Sequence, residues 1–225
     1  MVCIPRIDYI KKITISLIAL AMCGTECAAQ TVSGKKNGHN YVDLGLPSGK
    51  LWATCNVGAT QTTGKGLLYA WGETKPKTTY TWENYKWSKR KRYEAEHSMD
   101  DYENATTKVL KKQDDAATVN WGKCWRMPTS VEFMELKSGC EWTKTYDFKG
   151  SGTPGFIGTS KKNGNTIFLP TDGSWEDSYW ILEYSTTGEY TCIGFYDYPT
   201  PDGPFFGPCK AADIYQGLLV RAVVR

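Results

Sequence analysis

Nine tryptophans and fourteen tyrosines are spread along this 225-residue chain among 22 glycines. Aromatic side chains bury about 150–250 Å² each and need a core to enter, while glycine at this density interrupts helices. The combination argues against a helical bundle and for short strands joined by long, shaped loops. With 40% hydrophobic and 23% charged residues, the chain has the apolar content of a packed domain.

The local patterns give an α+β order. Tyr41–Leu44 alternates like a strand and ends at the Pro47-Ser48-Gly49 turn; Leu51–Val57 and Leu67–Trp71 read as further strands. Residues 72–113 read as one long aromatic-decorated loop with a helical turn near Val109. A short helix is expected from Asp114 or Asp115 through Ala116-Ala117. A longer one is expected after Thr129, where Glu132 completes a capping box, Phe133, Leu136 and Cys140 share a face, and Gly139 offers a stop. Asn163-Gly164 between Phe156–Thr159 and Thr166–Leu169 predicts a hairpin. Tyr190–Tyr196 and a central, apolar Leu218–Val224 complete the strands. Glycines and prolines across 173–209 argue against a regular element there.

The first 29 residues read as a secretory signal peptide. Arg6, Lys11 and Lys12 precede the apolar run Ile13–Met22, and Cys27-Ala28-Ala29 places small residues ahead of a new N-terminus at Gln30, which is expected to be cyclised. That run is half the length of a membrane span, so no integral membrane segment is expected after cleavage. Leu20-Ala21-Met22-Cys23 is a rival lipoprotein box that would anchor the chain at Cys23. The expected organisation is signal peptide 1–29, flexible lead-in 30–40 and one domain over 41–225, secreted or held at the cell surface. Five cysteines then remain (Cys55, Cys124, Cys140, Cys192, Cys209), an odd number for an oxidising compartment, and their pairing stays open.

Three basic and two acidic residues leave with the leader, so 24 basic residues face 22 acidic ones. That balance gives no reason to expect nucleic acid as a partner; the run Lys86–Arg92, with Trp87 inside it, reads as a solvated loop. Gly150-Ser151-Gly152-Thr153-Pro154-Gly155 matches a dinucleotide fingerprint only literally, since Pro154 and a hairpin stand where the helix must begin. Neighbouring acids at Asp114-Asp115 and Glu176-Asp177 do not supply the facing carboxylates of a glycosidase. No catalytic role, metal or cofactor is expected.

Several blocks taken in order are more specific. They are Tyr41–Gly49, Leu51–Ala59, Tyr69–Glu73, Asp114–Ala117 with Trp121-Gly122, Trp125–Thr129 with Glu132-Phe133, Asn165–Pro170 and Gly217–Arg221. As a set, spanning about residues 40–225, they resemble the Fibrobacter succinogenes major paralogous domain family of exported bacterial proteins. The resemblance implies a C-type-lectin-like fold with two short helices, twisted antiparallel sheets, long loops and adjacent N- and C-terminal strands. It implies a distant relation to formylglycine-generating enzymes, but the close cysteine pair those enzymes use for copper is missing here. The chain departs from the family over 173–212: Tyr179-Trp180 is followed by Ile181-Leu182, and the calcium signatures of sugar-binding C-type lectins are missing.

The expected function is non-catalytic recognition or adhesion outside the cell, with a glycan or protein ligand. The alternative is a structural or assembly subunit of a surface appendage. The expected ligand face is the aromatic and acidic set Trp175, Glu176, Asp177, Tyr179, Trp180, Tyr196, Asp197, Tyr198 and Asp202, with Phe205, Phe206 and Tyr184 buried beneath it. Should those rings be packing, the next set is Trp82, Trp87 and Tyr93. Trp52, Trp71 and Trp125 are expected in the core.

Overall fold

The computed structural model describes residues 30–88, 107–172, 177–185, 192–200, 203–209 and 213–225. These form an α+β arrangement of antiparallel sheets with two α-helices. The main sheet contains β1 (Gly34–Lys36), β2 (His39–Asp43), β3 (Leu51–Asn56), β13 (Arg221–Val224) and β5 (Trp125–Arg126), in the order β1-β2-β3-β13-β5. A second sheet stacks β6 (Cys140–Thr145), β7 (Gly155–Ser160) and β8 (Thr166–Pro170) in sequence order. A third has the order β12-β11-β9, from β9 (Tyr179–Trp180), β11 (Cys192–Thr200) and β12 (Gly203–Cys209). The last pairs β4 (Thr107–Val109) with β10 (Glu183–Ser185).

The central strands β3 and β13 of the main sheet are buried on both faces. Ala53, Cys55, Ala222 and Val224 join one apolar cluster with Trp71, Trp121, Trp125 and Trp180. Their strand neighbours Trp52 and Val223 enter a second cluster with Phe133, Leu136, Ile167 and Tyr179. Burial on both faces explains why the last strand reads as a nearly unbroken apolar run rather than an alternating one. The expected core tryptophans Trp52, Trp71 and Trp125 all lie inside it.

Helix α1 (Ala116–Trp121) begins where the Asp115 carboxylate accepts from the N–H groups of Ala117 (2.9 Å) and Thr118 (3.1 Å). That carboxylate also accepts from Met127 N–H at 3.2 Å, so one buried side chain ties the helix start to the residue after β5. Helix α2 (Ser130–Gly139) carries the expected capping box, with Glu132 N–H donating to Thr129 Oγ1 at 3.1 Å and Thr129 N–H donating to Glu132 Oε2 at 2.9 Å. Arg126 grips the same carboxylate with both terminal nitrogens, Nη1 lying 2.7 Å from Oε2.

Burial alone would raise the Glu132 carboxyl, but hydrogen bonds from Arg126 and Thr129, with the charges of Arg126 and Lys50, hold it below the usual glutamate range. A lowered carboxyl stabilises the fold above its unfolded-state pKa, about 4.3, and that contribution is lost as pH falls through the lower folded-state value. The stability lost in Glu132→Gln, read by urea unfolding, is therefore expected to be full at neutral pH and to shrink in strong acid. A penalty that stays constant across that range would contradict the assignment.

Four expectations change. Residues 30–40 are built into the domain: Asn37 and Gly38, at φ 44° and 83°, make the tight turn between β1 and β2, and Gln30 and Thr31 bond to β8. Val109 lies in strand β4, not a helical turn. The strand at Tyr41 and the C-terminal strand share a sheet but are separated by β3, because the Pro47-Ser48-Gly49 turn folds β3 directly onto β2. Finally, 192–200 and 203–209 pair as the antiparallel strands β11 and β12, with a register shift between Tyr196 and Pro199. Their prolines are tolerated because β12 is a sheet edge and β11 pairs with β9 only at Cys192 and Ile193, leaving Pro199 beyond that pairing.

Candidate functional site

Of the nine expected ligand residues, Trp175, Glu176 and Asp202 lie outside the described residues. Tyr179 and Trp180 are fully buried and closed to a ligand. Successive strand residues face opposite ways, so Trp180 enters one core cluster and Tyr179 the other. Their polar ends are satisfied internally: the Trp180 indole donates to Tyr69 O at 2.5 Å, and the Tyr179 hydroxyl accepts from Asn56 Nδ2 at 3.2 Å.

Asp177 is also buried. It accepts from Asp172 N–H at 2.7 Å and pairs with Lys65 Nζ at 2.9 Å, while Lys65 reaches Asp172 at 2.8 Å. Burial pushes its carboxyl up against the opposing pull of Lys65. This is a clamp between loops, with its lone pairs already committed. Tyr196, Asp197 and Tyr198 lie in β11, where the ladder shifts register between Tyr196 and Pro199. The six described members of the expected set are thus split between core, clamp and hairpin.

The aromatic surface that the structure does assemble comes from residues 69–88 and 213–217. Gly72 adopts φ 75°, and a Cβ there would meet the Trp87 ring at 2.2 Å, so glycine is what lets that ring close over the turn. Tyr85 packs edge-on to Trp87 (centroids 5.4 Å) and donates its hydroxyl to Trp71 O at 2.9 Å. Lys77 is the internal brace: its ammonium pairs with Glu73 at 2.5 Å, donates to Asn84 O at 2.7 Å, and lies 5.9 Å from the rings of Tyr80 and Tyr85. Tyr80 lies flat on Gly217, where a Cβ would meet the ring at 2.5 Å, and its hydroxyl accepts from Lys77 N–H at 3.0 Å.

On this brace Trp82 is held between Tyr85 (5.9 Å) and Tyr215 (6.0 Å). Tyr80, Trp82, Trp87 and Tyr215 are each only half-buried. The Tyr215 hydroxyl donates to Asp213 Oδ2 at 2.9 Å; that bond and the charges of Asp213 and Glu83 raise it. Bonding at the start of the 3-10 turn Trp82–Asn84, from the Glu83 N–H and the Thr81 side chain, lowers the Glu83 carboxyl. The arrangement can offer flat apolar faces beside exposed acceptors. Trp82 and Trp87 belong to the second set named from the sequence, and Tyr93 lies outside the described residues. Tyr80 and Tyr215 were missed, because their place is set by contacts between segments far apart in sequence, such as Tyr80 on Gly217. Lys86 of the basic run pairs with Asp114 and lies 4.9 Å over the Trp87 ring.

Among the described residues no group of three or more His, Cys, Asp or Glu is placed to hold a metal ion. No helix among them is long and apolar enough to cross a membrane. Compared with known proteins, the chain matches no family model, no curated protein and no solved structure.

Proposed function

We propose that this domain is an exported, non-catalytic recognition module that binds a glycan or protein ligand through its aromatic loop face. The observation that carries this reading is the half-buried set Tyr80, Trp82, Trp87 and Tyr215, held by Lys77 and the two glycines beside exposed Glu83 and Asp213. Rigid aromatics with neighbouring acceptors are the mix that recognition surfaces use. The same reading places the domain in the major paralogous family with a C-type-lectin-like fold. Support comes from the ordered sequence blocks, the α+β architecture and the presence of first and last strands in one sheet.

The test is a glycan array with the domain from Gln30 onward, with a panel of extracellular proteins in parallel. For any ligand found, Trp82→Ala and Tyr215→Ala are each expected to weaken binding about tenfold or more. Full binding by both variants would place the site elsewhere, the β11–β12 hairpin first.

Export is part of the proposal and rests on the leading segment. N-terminal mass spectrometry is expected to find a chain starting at Gln30; a lipidated Cys23 would replace secretion with anchoring. In the fold the Gln30 amide donates to Thr54 O at 2.7 Å and accepts from Phe168 N–H at 3.0 Å. Cyclisation would expel that nitrogen, so the folded protein is expected to retain an open glutamine.

A further inference from the structure

We propose that Cys192 and Cys209 form a disulfide that closes the root of the β11–β12 hairpin and staples its two strands together. Cys192 is fully buried and disulfide-bonded. Cys55, Cys124 and Cys140 are free thiols. The remaining cysteines besides Cys209 are Cys3, Cys23 and Cys27, all ahead of Gln30 in the segment read as a leader. The antiparallel register sets Cys209 directly opposite Cys192. Opposed residues of such a pair have Cα atoms about 4.5–5.5 Å apart, inside the span a disulfide bridges.

The odd cysteine count then resolves as one bridge and three thiols. Burial pushes the Cys55 thiol up and the Cys140 thiol to about 12, so neither supplies the thiolate that would attack the bridge and reshuffle it. In closing the bond the two thiols give up two protons and two electrons to a disulfide- or quinone-type oxidant of the kind exported chains meet.

The staple stands where support for the hairpin changes. Cys192 and Ile193 are flanked by β9, whereas residues from Gly194 onward ladder only with β12. That ladder is interrupted at Asp197 and Tyr198, and Pro199, Pro204 and Pro208 contribute no N–H to it. A two-stranded ladder is marginal in water by itself, and besides β9 this one leans, among the described elements, chiefly on helix α2 and, through β12, on β6. The crosslink at its root removes the open states that such a hairpin would otherwise visit.

The bond is tested by mapping protein that has been refolded in a glutathione redox buffer, then denatured and alkylated without reductant. Trypsin releases residues 163–210 as one peptide that holds Cys192 and Cys209 and no other cysteine. The expected result is a peptide lighter by two hydrogens and unalkylated, which chymotrypsin cuts into pieces that separate only after reduction. Alkylation at both positions, or linkage to Cys55, Cys124 or Cys140, would overturn the assignment. The stapling role is tested by chymotrypsin acting on the folded protein. Cutting between Phe195 and Phe206 is expected to accelerate about tenfold or more in the Cys192→Ala/Cys209→Ala variant. The same acceleration is expected when the parent is treated with reductant, which avoids any folding defect of the variant; an unchanged rate in both would refute the role.

Discussion

Replacing Arg221 with methionine is expected to destabilise the domain by about 3–5 kcal/mol, although methionine is apolar and nearly as long. Arg221 is fully buried, and its guanidinium is bound by groups from two sheets. Nε donates to Asn56 Oδ1 at 2.8 Å, Nη1 to Ala53 O at 2.9 Å and Nη2 to Phe168 O at 3.0 Å. Methionine withdraws the donor from all three buried acceptors, and a buried acceptor that loses its donor costs about 1–3 kcal/mol. Removing the buried charge returns part of that. Arg221→Lys is expected to recover little, because a single ammonium cannot span three acceptors that a planar fork reaches at once. Urea unfolding of both variants decides the point: a methionine variant as stable as the parent would mean that the cost of burying the charge cancels the three bonds.

Trp125→Ala is expected to cost about 3–5 kcal/mol through the cavity it leaves, and to lower the melting temperature by about 10 °C. Trp125 is fully buried at the edge of the main sheet, edge-on to Trp121 with centroids 5.3 Å apart. Its indole donates to Lys36 O at 3.1 Å, which ties β5 to β1 across the breadth of the same sheet. Alanine removes both the volume and the tie. A melting curve unchanged by the substitution would show that neither contributes.

Local chemistry was legible in the sequence. Asp115 and the Thr129–Glu132 box mark both helix starts because a short polar side chain beside orphan N–H groups has one good use there. The apolar Leu218–Val224 run indicated a central strand because burial on two faces leaves no polar alternate positions. The first strand of the hairpin was legible at Tyr190–Tyr196, but its partner β12 was not, since proline excludes a strand only where its missing N–H is needed, and that depends on which edge of which sheet it occupies. Tyr179 and Trp180 illustrate the same limit for the site. An aromatic pair with polar tips suits a wet surface or a core that supplies acceptors, and here Asn56 and Tyr69 O supply the polar partners. Tyr80 meets Gly217, and Trp82 meets Tyr215, only through a loop closure that joins segments far apart in sequence, and no local pattern records it.

The place of β13 has a consequence for how such a chain is made. A polypeptide emerging N-terminus first presents β3 and β5 long before Arg221–Val224, the strand that fills the gap between them, arrives. Until Arg221–Val224 is out, two strand edges stay open and the Asn56 side chain lacks its Arg221 partner. Open edges invite pairing with other chains or cleavage. Closure of the main sheet therefore waits on Arg221–Val224, and a chain without that strand would keep β3 and β5 apart with their facing edges unpaired.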